Sequence, residues 1–274
     1  MKIAVISCIH GNYEALTTVL KDIDSQNVDQ IYCLGDLVGY GPYPNEVVTL
    51  VRSLDIPTVQ GCWDEDIVDG LNACECSYPS LLAEKRGKVA HQWTDQEIHP
   101  ETRAYLAQLP KVLKQDQLAF THGSPQSQHE YLLPELDGFL ALERVLSTGA
   151  DILFCGHTHV PYVRTLKQHS LTFSVRTNSG KAIAPEQEFT APVKRIVNAG
   201  SVGEPRHGRP NATYVIYDGD REQVTLQEVE YDYHKTCTAI VEKGLPPIFA
   251  WRLAQGMEFA ERADDPSHLC ERGV

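Results

Sequence analysis

The stretch that most constrains this chain runs from Gln30 to Pro42, Gln-Ile-Tyr-Cys-Leu-Gly-Asp-Leu-Val-Gly-Tyr-Gly-Pro. An apolar run rich in β-formers ends in Gly35-Asp36, and glycines and a proline then turn the chain. The run reads as a buried strand that delivers one carboxylate at its carboxyl end, where open α/β sheets bind ligands. One Asp after a strand is a common turn or cap residue. The pattern recurs, however, and each time the strand-like run ends in a residue type that ligates metals.

Lys2–Ser7 ends in Cys8-Ile9-His10, and Pro57–Gln60 ends in Gly61-Cys62-Trp63-Asp64. Gln117–Thr121 ends in His122, and Asp151–Cys155 ends in Gly156-His157-Thr158-His159. Cys8, His10, Asp36, Cys62, Asp64, His122, His157 and His159 are thereby gathered at five strand ends. Clustered His, Cys and Asp of this kind suit Zn²⁺ or Fe. In Gly-His-Thr-His, alternate residues leaving a strand can address two neighbouring metals.

Between these runs lie helical patterns at Tyr13–Ile23, from Pro44, from Pro100 and at Leu136–Leu146. The opening order β-α-β-α-β implies parallel pairing. Glu65–Leu109 reads as helix and loop. Val160–Leu166 and Lys194–Val197 read as further strands, and Asn178-Ser179-Gly180-Lys181 reads as a hairpin tip. Tyr214–Tyr217 and Val224–Val229 form a second hairpin pattern, and helices are expected at Tyr233–Val241 and Ile248–Ala263. One domain is expected, a main body over 1–235 with a helical C-terminal appendage over 236–274.

Composition narrows the function classes. A net charge of −13 argues against a nucleic-acid backbone as partner. It leaves room for a small phosphorylated substrate held by metal. No apolar run approaches a membrane span, and the N-terminus lacks the pattern of a signal peptide, so a cytoplasmic location is expected. The oligomeric state is open. Eight cysteines are present, and Cys8, Cys33, Cys62 and Cys155 lie in or at the ends of strand-like runs, as buried residues or ligands do in a reducing compartment. Cys74-Glu75-Cys76 has too short a gap for a zinc knuckle.

The ordered motifs resemble those of the calcineurin-like metallophosphoesterases, and within them the YfcE-like phosphodiesterase group. The family pattern is Asp-x-His, Gly-Asp-x-x-Gly, Gly-Asn-His-Asp/Glu, a single His, and Gly-His-x-His. Here stand Cys8-Ile9-His10, Gly35-Asp36-Leu37-Val38-Gly39, Gly61-Cys62-Trp63-Asp64, His122, and Gly156-His157-Thr158-His159. Asn198–Gly203 is similar to the family's Asn-x-Gly-Ser-Val-Gly. The resemblance implies an α/β fold, a four-layer α/β/β/α sandwich of two facing mixed β-sheets with helices outside. It also implies two divalent transition metal ions, bridged by Asp36. His10, His159 and Cys8 would hold the first ion, and His122, His157 and Cys62 the second. The implied reaction is attack of a metal-bound hydroxide on a phosphodiester or phosphomonoester.

Three positions depart from the family: Cys8 stands for Asp, Cys62 for Asn, and Trp63 for the His that assists the leaving group. Asp64 matches the acid that orients that His, so Asp64 and Trp63 occupy the catalytic positions. Thiolates are soft ligands and favour Zn²⁺ or Fe over Mn²⁺. Cys8 and Cys62 can also be read as apolar packing in a decayed site or as a disulfide pair. Trp63 can stack on a planar substrate group or pack in the core. Arg206, His207 and Arg209 can bind a substrate anion or stand as exposed loop charge. The expected function is a metal-dependent phosphoesterase, with a non-hydrolytic metal-binding or thiol-redox protein on the same fold as the alternative.

Overall fold

Strand β1 (Lys2–Ile6) alternates between two cores. Ile3 and Val5 join one buried cluster, and Ala4 and Ile6 join another. A strand apolar on both faces must be covered on both, and the rest of the fold supplies the covers. The computed structural model describes residues 1–71, 80–166 and 193–257.

In chain order β1 is followed by α1 (Tyr13–Ser25), β2 (Gln30–Cys33), α2 (Pro44–Ser53), α3 (Cys62–Val68), α4 (Leu81–Glu97) and α5 (Pro100–Leu106). Then come β3 (Val112–Gln115), β4 (Leu118–Thr121), α6 (Gly138–Leu146), β5 (Ile152–Cys155), β6 (Tyr162–Leu166) and β7 (Lys194–Asn198). The described chain closes with β8 (Ala212–Asp218), β9 (Gln223–Val229), α7 (Tyr233–Glu242) and α8 (Pro247–Gln255). The strands form two mixed sheets, ordered β2-β1-β8-β9 and β3-β4-β5-β7-β6.

Ile3 and Val5 of β1 and Val215 of β8 meet Phe120, Phe154 and Val197 between the sheets. The Tyr32 and Phe120 rings stack there at 4.1 Å. On the outer side of the first sheet, Ala4 and Ile6 pack with Leu16 and Val19 of α1 and with Val47 and Val51 of α2. On the outer side of the second, Leu153 and Ile196 pack with Ala141 and Val145 of α6. This is the expected α/β/β/α sandwich.

Parallel pairing levels the strand ends that matter. In β1 and β2 the register runs from Ile3↔Gln30 to Ile6↔Cys33, so the Cys8 and Asp36 loops emerge side by side. β4, β5 and β7 are likewise parallel neighbours. The two sets of loops meet closely at Gly156, where a Cβ would lie 1.9 Å from Ser7 Oγ.

Some expectations shift. Pro57–Gln60 is a single parallel bridge, Cys33↔Thr58, rather than a strand. β3, an edge strand with half-exposed and exposed residues, carries too little apolar signal to be seen in the sequence. α8 stops at Gly256, which is left-handed. The hairpin tip at Asn178–Lys181, the Cys74–Cys76 pair and residues past Met257 lie outside the described residues. Among the described residues, no helix is long and apolar enough to cross a membrane.

Candidate metal centre

The loop after β1 crosses the loop after β2 on backbone hydrogen bonds. The amides of Ile9 and His10 both donate to the Asp36 carbonyl at 2.8 Å, and the Cys8 amide donates to Gly35. From the second sheet, the Gly156 amide donates to the His122 carbonyl. Asn198, at the end of β7, donates to the Gly156 carbonyl at 2.7 Å and accepts from the Gly200 amide. Backbone bonds and the Asn198 side chain therefore pin these loops.

Side chains then converge in two groups. Cys8, His10, Asp36 and His159 form one quartet and Asp36, Cys62, His122 and His157 the other, each with its donor atoms within 4.8 Å of one another. Asp36 Oδ2 is the common vertex, 3.4 Å from His10 Nε2, 3.2 Å from His122 Nε2 and 3.6 Å from Cys62 Sγ. Its other oxygen accepts from the Trp63 amide at 2.9 Å. None of the seven side chains is more than 3% exposed.

Tautomers follow from the outer partners. Nδ1 of His10 donates to the Val38 carbonyl at 3.0 Å, that of His122 to Leu34 at 2.8 Å, and that of His159 to Glu204 at 2.6 Å. Each imidazole therefore turns a bare Nε2 lone pair inward. His10 Nε2 and His159 Nε2 lie 3.2 Å apart with no proton available between them, and His122 Nε2 lies 3.1 Å from His157 Nδ1. The facing lone pairs of His10 and His159 repel at this distance unless a cation lies between them. The donor set of five imidazole and carboxylate groups with two thiols thus fits divalent metal ions.

Burial and charge move these groups in different directions. Burial lowers His10 to about 3 against the opposing pull of Asp36. Burial and the neighbouring Arg206 also lower His159. His122 is raised, because the Asp36 carboxylate and the Leu34 carbonyl outweigh its burial. Burial opposes ionisation of Asp36, yet His122 and His10 hold it below the usual carboxylate range. Burial and Asp36 push the Cys8 and Cys62 thiols well up. A bound cation would invert that last shift and favour thiolates.

Strain marks the same place. Cys8, His10, Asp36, His157 and His159 all have positive φ, between 47° and 64°. Non-glycine residues held so cost on the order of 1–3 kcal/mol each and collect at functional sites.

Asp64 and Trp63, at the family's catalytic positions, are both drawn into the scaffold. Asp64 does not face a substrate position. As the third residue of α3 its carboxylate accepts the amides of Asp36 at 2.8 Å, Leu37 at 2.9 Å, Val38 at 3.3 Å and Gly61 at 3.0 Å. It builds the loop that carries Asp36 and leaves no oxygen to orient a catalytic group. Of the two readings of Trp63, its contacts favour core packing. It is 2% exposed and packs on Tyr40 at 4.4 Å and His91 at 5.5 Å. Gly39 makes this possible, since a Cβ there would lie 2.4 Å from the indole.

The candidate anion-binding residues separate. Arg206 lies beside the centre, 2.9 Å from Glu204. His207 and Arg209 turn instead to Glu228 of β9, at 3.7 and 2.8 Å. No disulfide joins Cys8 and Cys62. Cys33 and Cys155 pack as buried apolar residues, each pushed by burial to about 12.

Sequence reading missed Glu204, which holds His159. Its position directly after Asn198–Gly203 was the one available signal. It also missed Tyr131, whose ring lies 4.0 Å from that of His157.

Residues 1–222 match the family model for the calcineurin-like phosphoesterase superfamily domain. The uncharacterized protein MJ0912 of Methanocaldococcus jannaschii is 35% identical over 260 residues, covering 93% of this chain and 98% of its own. The crystal structure of a metallophosphoesterase from Sphaerobacter thermophilus aligns with a TM-score of 0.71 at 31% identity, over 94% of this chain and 99% of that one. A hypothetical protein, PH1004, from Pyrococcus horikoshii OT3 shares the fold with a TM-score of 0.72 at 23% identity, over 94% and 99% of the two chains.

Proposed function

Because the chain belongs to the calcineurin-like phosphoesterase superfamily, whose members typically bind divalent metals, we propose that it is a metal-dependent phosphoesterase with one thiolate at each of two metal positions. The observation that carries this reading is the pair of buried quartets sharing Asp36. Cys8, His10 and His159 would hold one ion, Cys62, His122 and His157 the other, and Asp36 both. Thiolate ligands favour Zn²⁺ or Fe over Mn²⁺. Metals bound there would supply Lewis acidity and lower the pKa of water.

The protein's own groups fix the rest. Val38, Leu34 and Glu204 hold three imidazoles in the ligating tautomer through their carbonyls. The amide of Trp63 steadies the spare oxygen of Asp36. The indole at position 63 cannot give a proton to a leaving group, and Asp64 is committed to backbone amides. The chain therefore offers neither residue as the acid for a poor leaving group, a role commonly worth roughly 10²- to 10⁴-fold.

This gives a direct test. Metal-loaded protein is expected to hydrolyse a nitrophenyl phosphoester at least about 10²-fold faster than the matching alkyl ester. Equal rates would place a general acid elsewhere in the site. The non-hydrolytic alternative makes the opposite prediction for the same substrates. Metal-loaded protein that leaves activated esters intact would decide for that alternative.

A further inference from the structure

Helices α7 and α8 lie beyond residue 222, where the match to the family ends. They nevertheless cover the centre. Ile240, Phe249 and Leu253 pack with Tyr40, Cys62 and Trp63. The same three residues, with His10, Tyr40 and Glu204, enclose the small cavity beside the site.

One side chain ties this hairpin to a candidate ligand. Arg252 of α8 brings Nη2 to 2.6 Å from Glu204 Oε1, and its guanidinium lies 5.0 Å over the Tyr40 ring. Glu204 in turn grips His159 twice. Its carbonyl accepts from Nδ1 at 2.6 Å, and its Oε2 lies 3.2 Å from the same nitrogen. Arg206 contacts that Oε2 as well, at 2.9 Å. The side chains of Glu204 and Arg252 are only 7% and 11% exposed. A buried carboxylate on the outer nitrogen of an imidazole fixes the ring and raises its basicity toward a metal. The His159 backbone is itself left-handed, with φ at 60°.

We infer that Glu204 and Arg252 are positioning residues of the metal centre, through which the C-terminal hairpin holds His159 ready to ligate. The inference rests on the reading of His159 as a metal ligand. It makes α7–α8 a working part of the site rather than an appendage. It also makes the two metal positions unequal, because His159 serves only one quartet.

The test uses the full chain loaded with Zn²⁺ and follows metal release to a chelator beside the melting temperature. Wild-type protein is expected to release two ions. Glu204→Gln and Arg252→Met are expected to speed release of one ion by about tenfold or more, leaving the second near its wild-type rate. Arg252→Lys keeps the charge but loses the planar guanidinium over Tyr40, and should fall between. The double variant should release no faster than the faster single one, because both act through one contact. A tether that merely holds the hairpin down would lower the melting temperature and speed both ions alike, which would overturn the inference. So would release at the wild-type rate in both single variants. Wild-type protein that takes up no Zn²⁺ would instead overturn the reading of the site itself.

Discussion

An Asp36→Ala variant is expected to lose both metal ions and with them phosphoester hydrolysis, by at least about 10²-fold. The expectation follows from one atom. Asp36 Oδ2 lies within 3.6 Å of donor atoms from both quartets. Removing it takes a ligand from each position and the only carboxylate from the donor set. It also leaves His10 and His122 buried without the charge they face. Asp36→Asn separates the two jobs of the residue, since its amide oxygen can still accept from the Trp63 amide as Oδ1 does at 2.9 Å. That variant should melt near metal-free wild type yet bind little metal. Metal analysis of both variants checks this, and a full complement in Asp36→Ala would show that the quartets do not share a bridge.

Asp64→Ala is expected to be the most destabilising single substitution in the site. It would leave four backbone amides without an acceptor, at about 1–3 kcal/mol for each one that water cannot reach. Relaxation recovers part of this, so a loss of about 4 kcal/mol is a reasonable size. In a chain of this length that corresponds to a fall in melting temperature of roughly 10 °C. Metal binding should fall too, because three of those amides belong to Asp36, Leu37 and Val38. A catalytic orienter would behave differently, keeping the melting temperature while losing turnover. Thermal unfolding of the purified variant distinguishes the two.

Much of this site was legible in the sequence because strand ends are legible. An apolar run with turn residues after it fixes where a strand stops, and parallel strands bring their stops to one edge. Cys8, His10, Asp36, Cys62, Asp64, His122, His157 and His159 could therefore be placed together from spacing and type, although the run before Cys62 is a single bridge and not a strand. The sorting of all but Asp64 into two groups came with the family resemblance, and the geometry of the two quartets agrees with it. What spacing could not show is which polar groups answer to the backbone. Asp64 sits in the right motif, but its partners are amides from a loop far away in the chain. Trp63 needed the absence of a side chain at Gly39 to become a core residue. Arg252 carries no local signal at all, since its contact with Glu204 depends on how the C-terminal hairpin docks. β3 escaped notice because Lys114 and Gln115 are exposed on an edge where little apolar pattern is required.

The central claim is that the two quartets hold metal through their thiols. Elemental analysis of protein purified without added metal, paired with alkylation of its cysteines, tests it most directly. The account predicts about two Zn or Fe ions per chain. It also predicts that Cys8 and Cys62 resist alkylation until a chelator removes the metal. A metal-free protein that stays so when Zn²⁺ is supplied, with both thiols equally reactive before and after chelation, would contradict it.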